Sequence, residues 1–126
     1  MRIIVDAQEH RPIYRQVADE IKTLIARGEL QEGASLPPVR QLAADLGVNL
    51  NTVATAYREL QGEGLIAIRH GSGAMVASRR TEVTSRDEMR KALRAVLTQM
   101  VLAGMPRSEI AVLVSGELRG LTQGAK

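Results

Sequence analysis

The fold of this chain is decided by residues 36–66, which read LPPVRQLAADLGVNLNTVATAYRELQGEGLI. Pro37-Pro38 opens a short segment with helical periodicity and Gly47 closes it, because proline suits the first turn of a helix and glycine its left-handed end. Asn49 can then cap a following helix. Two helices joined by a tight turn that contains glycine predict a helix-turn-helix.

The flanking residues extend this unit on both sides. Before it, Pro12 begins a helix that ends at Gly28; after it, apolar residues 65–68 and 74–77 enclose a glycine-rich turn and predict a β-hairpin. This order is that of a winged helix-turn-helix, whose third helix enters the DNA major groove while the hairpin approaches the flanking backbone or minor groove. The apolar positions at helical spacing, expected to be buried, are Ile13, Val17, Ile21, Leu24, Ile25, Val39, Leu42, Ala43, Leu46, Val53, Ala56, Tyr57 and Leu60.

A second unit follows a polar stretch. Ser85 and Glu88 have the spacing of a capping box, and Pro106 begins another helix after the first one ends at Gly104. The predicted organisation is a winged helix-turn-helix DNA-binding domain at 1–78, a linker at 79–84 and a C-terminal αα-hairpin at 85–126. The fold class is therefore mainly α with a small β-hairpin.

The C-terminal αα-hairpin is too small to bury both of its apolar stripes against itself. We expect its outer surface to dock on a second copy and form a homodimer, because the polar linker separates the two cores. The alternative is that the hairpin folds back on the first domain of its own chain. The residues predicted to mediate dimerisation are Met89, Leu93, Val96, Leu97, Met100, Ile110, Leu113, Val114 and Leu118.

Composition excludes several classes of protein. The chain has 126 residues, 44% of them hydrophobic and 25% charged, which is ordinary for a globular protein, and its apolar runs are too short for a membrane helix. It has no Cys, which excludes disulfides, thiolate zinc sites and a cysteine nucleophile. The first residues lack the apolar stretch of a signal peptide, so we expect a cytoplasmic protein without a membrane partner.

The net charge of +3 and pI near 9.8 favour an anionic partner, but the charge is unevenly distributed. Through Ser78 there are 8 Lys and Arg against 9 Asp and Glu, whereas from Arg79 onward there are 9 against 5. Most of the positive charge thus lies outside the predicted DNA-binding domain. A nucleic-acid site must depend on where individual charges lie.

Motif residues are spread over most of the first 77 positions. They are Gly28-Glu29-Leu30, Gly33, Leu36-Pro37-Pro38-Val39-Arg40-Gln41-Leu42-Ala43, Leu46-Gly47-Val48-Asn49, Asn51-Thr52-Val53, Ala56-Tyr57, Leu60, Glu63-Gly64-Leu65-Ile66 and Gly71-Ser72-Gly73. With these residues, positions 10–77 resemble the N-terminal domain of GntR-type bacterial transcriptional regulators, and the short C-terminal hairpin resembles the YtrA subfamily, whose two-helix module mainly dimerises. The resemblance implies a DNA-binding regulator, often a repressor of neighbouring transporter genes.

The candidate DNA-contacting residues lie in the two helices of the helix-turn-helix and at the tip of the wing. The family motif implies that Arg40 contacts DNA, where a guanidinium can bind phosphate or guanine O6 and N7. The N-terminal end of the third helix approaches base edges, and Asn49 there serves both as cap and as contact. The full set is Arg40, Asn49, Leu50, Asn51, Thr52, Thr55, Arg58, Arg69, His70 and Gly71.

Two positions of the third helix depart from the family pattern. Many relatives carry Arg at the positions of Leu50 and Ala54, so this helix lacks two cations that could anchor it to DNA. Leu50 can instead contact a thymine methyl group. The departure predicts a shifted operator preference or a weaker intrinsic affinity.

The sequence offers no group of polar residues that would meet in a catalytic site. His10 and His70 fall in a loop and a turn, and Ser72 has no evident base. No cofactor or metal site is indicated. We predict a sequence-specific double-stranded DNA-binding regulator, a repressor that recognises an inverted repeat as a homodimer. The alternative is a winged-helix protein-interaction module without specific DNA binding. An unidentified small-molecule effector could lodge between the C-terminal helices of the dimer, although no polar cluster marks a site.

Overall fold

The computed structural model describes residues 1–69, 73–81 and 85–122, and the chain divides into two compact units, Met1–Glu82 and Val83–Lys126. None of the described helices is long and apolar enough to span a membrane. The first unit contains three helices and three short strands, and the second contains two helices. The elements in chain order are α1 (Ile13–Arg27), β1 (Ser35–Leu36), α2 (Val39–Leu46), α3 (Leu50–Gly62), β2 (Ile66–Arg69), β3 (Gly73–Val76), α4 (Arg86–Leu102) and α5 (Arg107–Thr122).

The turn between α2 and α3 has the end signals that the sequence predicts. Gly47 follows α2 with φ 68°, a left-handed conformation that glycine adopts without steric cost. Two residues later the side-chain oxygen of Asn49 accepts the N–H of Asn51 at 2.7 Å, so the predicted N-cap of α3 is confirmed. Three residues therefore suffice to separate the two helices of the helix-turn-helix.

The core of the first unit is aliphatic apart from one tyrosine. Tyr57 of α3 is 1% exposed, and its hydroxyl donates to the carbonyl of Pro37 at 2.6 Å. Most of the predicted core positions on α1, α2 and α3 are buried, whereas Ile13, Leu24, Val39 and Leu46 are partly buried at its edge. The buried residues are Ile3, Gln16, Val17, Ala18, Ile21, Ile25, Leu36, Leu42, Ala43, Val53, Ala56, Tyr57, Leu60, Leu65, Ile66, Ala74 and Val76.

The sheet has one strand more than the predicted hairpin. β2 and β3 pair antiparallel in the register Ile66↔Val76, and β1 pairs with the other edge of β3, which gives the order β1-β3-β2. The sequence prediction missed β1 because two residues before a proline pair cannot show an alternating pattern. Its Leu36 is buried and joins the core, so β1 ties the segment before α2 to the wing.

The second unit consists of α4 and α5. The hydroxyl oxygen of Ser85 accepts the N–H of Glu88 at 3.1 Å, which confirms the predicted cap, and Asp87 and Glu88 in the first turn suit the positive end of the helix dipole. Neither helix contains a buried residue. The unit is therefore a pair of helices whose apolar side chains remain largely open to solvent within one chain.

Candidate nucleic-acid interface

The outward face of α3 carries three of the predicted contact residues. Its buried stripe is formed by Val53, Ala56, Tyr57 and Leu60. At about 100° per residue, Asn51, Thr55 and Arg58 fall within an arc of about 60° on the opposite side. Asn51 and Arg58 are exposed and Thr55 is half-buried, so one polar face of the helix is open to a ligand.

These three residues are also joined by hydrogen bonds. The hydroxyl of Thr55 donates to the carbonyl of Asn51 at 2.8 Å, and Nη2 of Arg58 donates to the hydroxyl oxygen of Thr55 at 3.2 Å. The guanidinium is thereby held back over the N-terminal half of the helix. Arg58 is the only cation of α3, so this contact brings positive charge toward the end of the helix where Leu50 and Ala54 supply none.

At the N-terminus of α3, the cap restricts what Asn49 can offer. Its side-chain oxygen is occupied by the N–H of Asn51, which leaves the exposed amide NH₂ as the free part of the side chain. Leu50 beside it is 43% exposed, and Thr52 is half-buried on the flank of the helix. The positive end of the helix dipole adds to the attraction for anions at this point.

The predicted residues outside α3 lie on α2 and on the wing. Arg40 lies in the first turn of α2, and Arg69 ends β2 opposite Gly73; both are exposed, and neither forms a salt bridge within residues 1–69, 73–81 and 85–122. Both guanidinium groups are thus available to an anionic partner. The predicted contacts His70 and Gly71 fall outside the described residues.

Carboxylates near α3 are directed to other faces. Glu59 pairs with Arg15 of α1 at 2.7 Å and Glu63 pairs with Lys22 of α1 at 2.9 Å, so both lie on the flank that packs against α1. Asp45 of α2 lines a groove with residues of the N-terminal segment, about 140° around the helix from Arg40. The polar face of α3 itself contains no carboxylate.

The residues predicted to mediate dimerisation form an apolar surface on the second unit. Met89, Leu93 and Val96 of α4 are about half exposed, and Leu113 and Leu118 of α5 are exposed as well, whereas Met100 is half-buried. Four of the predicted residues line an open groove of about 600 Å³ between α4 and α5, bordered by Leu93, Leu97, Val101, Met105, Arg107, Ile110, Ala111 and Val114.

Three further apolar side chains on these helices were absent from the predicted set. Val101, Leu102 and Val112 are 61%, 81% and 74% exposed. Leu102 and Val112 lie off the stripes from which the prediction was made, and a periodicity argument cannot find an apolar residue that departs from the period. Leu102, about 180° from Leu93 around α4, is therefore an exposed apolar side chain outside the predicted surface.

A family model covers the first unit. Residues 13–76 match the model described as bacterial regulatory proteins of the gntR family. The match runs from the start of α1 to the end of β3, so it includes every element of the helix-turn-helix and its wing.

Curated relatives share this region and differ in length. MocR of Rhizobium meliloti, a probable rhizopine catabolism regulatory protein, is 36% identical over 83% of this chain, but the chain spans only 22% of that protein. The HTH-type regulator YhcF of Bacillus subtilis is 34% identical over 82% of the chain and 87% of its own length. The HTH-type transcriptional repressor YtrA of the same organism is 39% identical over 60% of the chain and 58% of its own length.

Solved structures agree with these similarities. A transcriptional antiterminator from Listeria monocytogenes EGD-e matches with TM-score 0.84 and 29% identity, covering 96% of this chain and 92% of that one. YtrA from Sulfolobus acidocaldarius, a GntR-family transcription factor, matches with TM-score 0.63 and 40% identity. The match covers 76% of this chain and 97% of that one. The DNA-binding domain of AraR, in complex with operator ORX1, matches with TM-score 0.55 and 26% identity. The match covers 61% of this chain and 96% of that one.

Proposed function

Because the chain belongs to the GntR family of bacterial regulatory proteins, we propose that it is a homodimeric repressor that binds an inverted-repeat DNA operator. The family and the solved structures support the coarser part of this statement, a DNA-binding transcriptional regulator of the winged-helix type. What is proposed is the mode of DNA contact, the dimer, the symmetry of the operator and the sign of regulation.

The observation that carries the proposal is the carboxylate-free polar face of α3. Asn51, Thr55 and Arg58 line this face, while Glu59 and Glu63 are paired with cations of α1 on the adjoining flank. An α-helix fits the major groove of B-DNA, and a face without carboxylates avoids repulsion from phosphates. The DNA-binding domain of AraR, which is similar to this first unit, was solved in complex with an operator, and this supports DNA binding by the first unit here.

Each side chain of the site has a distinct chemical role in this proposal. Asn51 can form a bidentate pair with adenine N6 and N7, and the apolar side chain of Leu50 can contact a thymine methyl group. Arg58 can bind phosphate or the guanine edge, and it partly replaces the positive charge missing at Leu50 and Ala54. Arg40 serves as a phosphate anchor that positions α2 against the backbone.

The proposal of a homodimer is supported by the second unit. Two helices without a buried residue cannot compensate the conformational entropy lost when they order. The apolar surface on α4 and α5 would be covered by the same surface of a second copy, because self-complementary contacts about a two-fold axis close without leaving unsatisfied faces. A two-fold dimer matches an operator with half-sites about 34 Å apart, or a multiple of this distance.

The assignment as a repressor is supported by similarity alone. The Bacillus subtilis relative YtrA is described as a transcriptional repressor, and it is 39% identical to this chain over 75 residues. A bound dimer represses when its operator overlaps a promoter, so the sign of regulation depends on where the operator lies. Transcription from the DNA upstream of the gene that encodes this chain, measured with and without the protein, shows whether the protein represses or activates.

A gel-shift assay of the full chain with the DNA upstream of its own gene tests the proposal. We expect a shift at submicromolar protein that survives competitor DNA and weakens steeply with salt, since phosphate contacts release counterions. Arg40→Ala should weaken the shift, whereas Arg27→Ala removes the same charge at the C-terminal end of α1 and should not. Absence of a competitor-resistant shift at micromolar protein would instead support the protein-interaction module.

A further inference from the structure

The last turn of α1 has carbonyls that backbone N–H groups do not reach. Backbone N–H groups of the turn after Arg27 bond to the carbonyls of Leu24 and Ile25 at 3.0 to 3.1 Å. A helix has no internal partner for its last four carbonyls. The carbonyls of Ala26 and Arg27 receive none of these backbone bonds, so a side chain can donate to them.

Arg79, which follows the wing, supplies this donor. Its Nη2 donates to the carbonyl of Ala26 at 2.7 Å and its Nε to that of Ile25 at 3.3 Å. Its backbone N–H donates to the carboxylate of Glu32 at 3.2 Å. The guanidinium also interacts favourably with the negative end of the helix dipole. Three contacts thus hold one residue of the predicted linker against the first unit.

Among residues 77–81, Arg79 carries the last hydrogen bonds to distant parts of the first unit. Before it, the N–H groups of Ala77 and Ser78 donate to the carbonyl of Leu65 at 2.8 and 3.3 Å. After it, the N–H of Arg80 donates to the hydroxyl oxygen of Ser78, a local contact at 3.0 Å. Within residues 79–81, Arg79 is the one whose hydrogen bonds reach distant parts of the first unit.

We propose that Arg79 is a positioning residue that sets the spacing between the two half-sites of the operator. The inference rests on the proposed function, because it requires two DNA-binding units joined through one dimer. Six peptide steps separate Arg79 from Ser85, the N-cap of α4, and at about 3.5 Å per step they extend to about 21 Å at most. Arg79 therefore limits how far each unit can reach.

Release of Arg79 would lengthen the tether. The last hydrogen-bonded residue would then be Ser78, which adds one residue, or about 3.5 Å, to the reach of each unit. Since successive base pairs are about 3.4 Å apart, this is about one base pair per unit, or about two for the two units of a dimer. A short tether raises the effective concentration of the second unit only at separations that it spans, so a longer tether broadens the range of spacings that bind.

The test uses the full chain and an operator selected from random duplex DNA, with its half-sites moved closer or apart by one to three base pairs. The variants are Arg79→Ala and the matched control Arg80→Ala, which removes the same charge one residue later. We expect the unsubstituted chain and the control to lose about tenfold or more in affinity when the spacing changes by two base pairs. Arg79→Ala should lose less than about threefold over the same change.

An insertion provides a second variant that leaves Arg79 in place. Two glycines inserted after Thr81 lengthen the tether directly and should reproduce the broad spacing profile, even if Arg79→Ala fails to fold. A narrow profile in either folded variant overturns the inference while DNA binding itself stands. If the unsubstituted chain selects no DNA, the proposed function is wrong and the inference falls with it.

Discussion

The hydroxyl of Tyr57, in the middle of α3, donates a 2.6 Å hydrogen bond to the carbonyl of Pro37, just before α2 begins. Tyr57 is buried, so this bond connects the helix that carries Asn51 and Arg58 with the start of the helix that carries Arg40. A hydrogen bond formed in a largely dry environment restricts the geometry of both partners. The relative placement of the proposed DNA contacts on α2 and α3 thus depends in part on one phenol.

Tyr57→Phe tests this relationship. The substitution keeps the ring and removes only the hydroxyl, so the carbonyl of Pro37 loses its donor. We expect a loss of about 1–2 kcal/mol in the free energy of unfolding, measured with urea, and a weaker affinity for the operator. Tyr14→Phe is the control, because Tyr14 is only half-buried. Equal stability of the two variants would contradict the prediction.

The same phenol predicts a dependence of stability on alkaline pH. Burial raises the pKa of Tyr57 to about 12 from its ordinary value of 10. Below pH 10 the phenol keeps its proton in both the folded and the unfolded state. Between pH 10 and 12 only the folded state keeps it, so the free energy of unfolding falls with rising pH by up to about 1.4 kcal/mol per pH unit. The difference in unfolding free energy between the unsubstituted chain and Tyr57→Phe should therefore shrink from pH 9 to pH 11. A constant difference would show that the phenol is not responsible.

Two substitutions of Asn49 separate its structural role from its role toward DNA. Asn49→Ala removes the cap of α3 and should cost about 1 kcal/mol of stability. Asn49→Asp keeps an acceptor for the N–H of Asn51 and suits the helix dipole, so stability should be retained. It replaces the amide donor with a negative charge, so operator affinity should fall at least tenfold. Unchanged affinity of Asn49→Asp in a gel shift would show that this side chain serves as a cap alone.

Arg58→Ala removes the only cation of α3. We expect a loss of about 10-fold in operator affinity. If Arg58 binds phosphate, the slope of log affinity against log salt concentration should also fall by about 1, because one fewer counterion is released. Thr55→Val breaks the hydrogen bond that holds the guanidinium over the N-terminal half of the helix and should give a smaller loss. Titrations by fluorescence anisotropy at several salt concentrations measure both values. Affinity that does not change in Arg58→Ala would remove this residue from the interface.

Leu93→Glu tests the dimer. A carboxylate placed in the apolar surface of α4 should convert the dimer to a monomer in analytical ultracentrifugation, because burying an unpaired charge is unfavourable. The thermal unfolding of the first unit should not change. Thr98→Glu, exposed on the opposite side of the same helix, is the matched control and should remain dimeric. A Leu93→Glu variant that stays dimeric would assign dimerisation to another surface.

Local features of the chain were predictable because their signals are local. The helices follow from apolar residues at a period of 3.6, and the caps at Asn49 and Ser85 follow from a side chain that bonds an N–H two or three residues away. Among the candidate contact residues, Arg40 and the tip of the wing follow from the family pattern, and those at the start of α3 follow from the end of the helix that approaches base edges. Strand β1 could not be predicted in this way, because two residues become a strand only when β3 lies beside them.

By itself, the sequence determined the helices, their caps, the aliphatic character of the core and the membership in a family of DNA-binding regulators. Only the tertiary structure decided which partners meet across long separations: Arg79 with the end of α1, 53 and 54 residues earlier, Glu63 with Lys22, and Tyr57 with Pro37. The reason is physical. A periodic pattern records which side of a helix is apolar, but a hydrogen bond between distant residues depends on how the core orients each helix, and no local pattern carries that orientation.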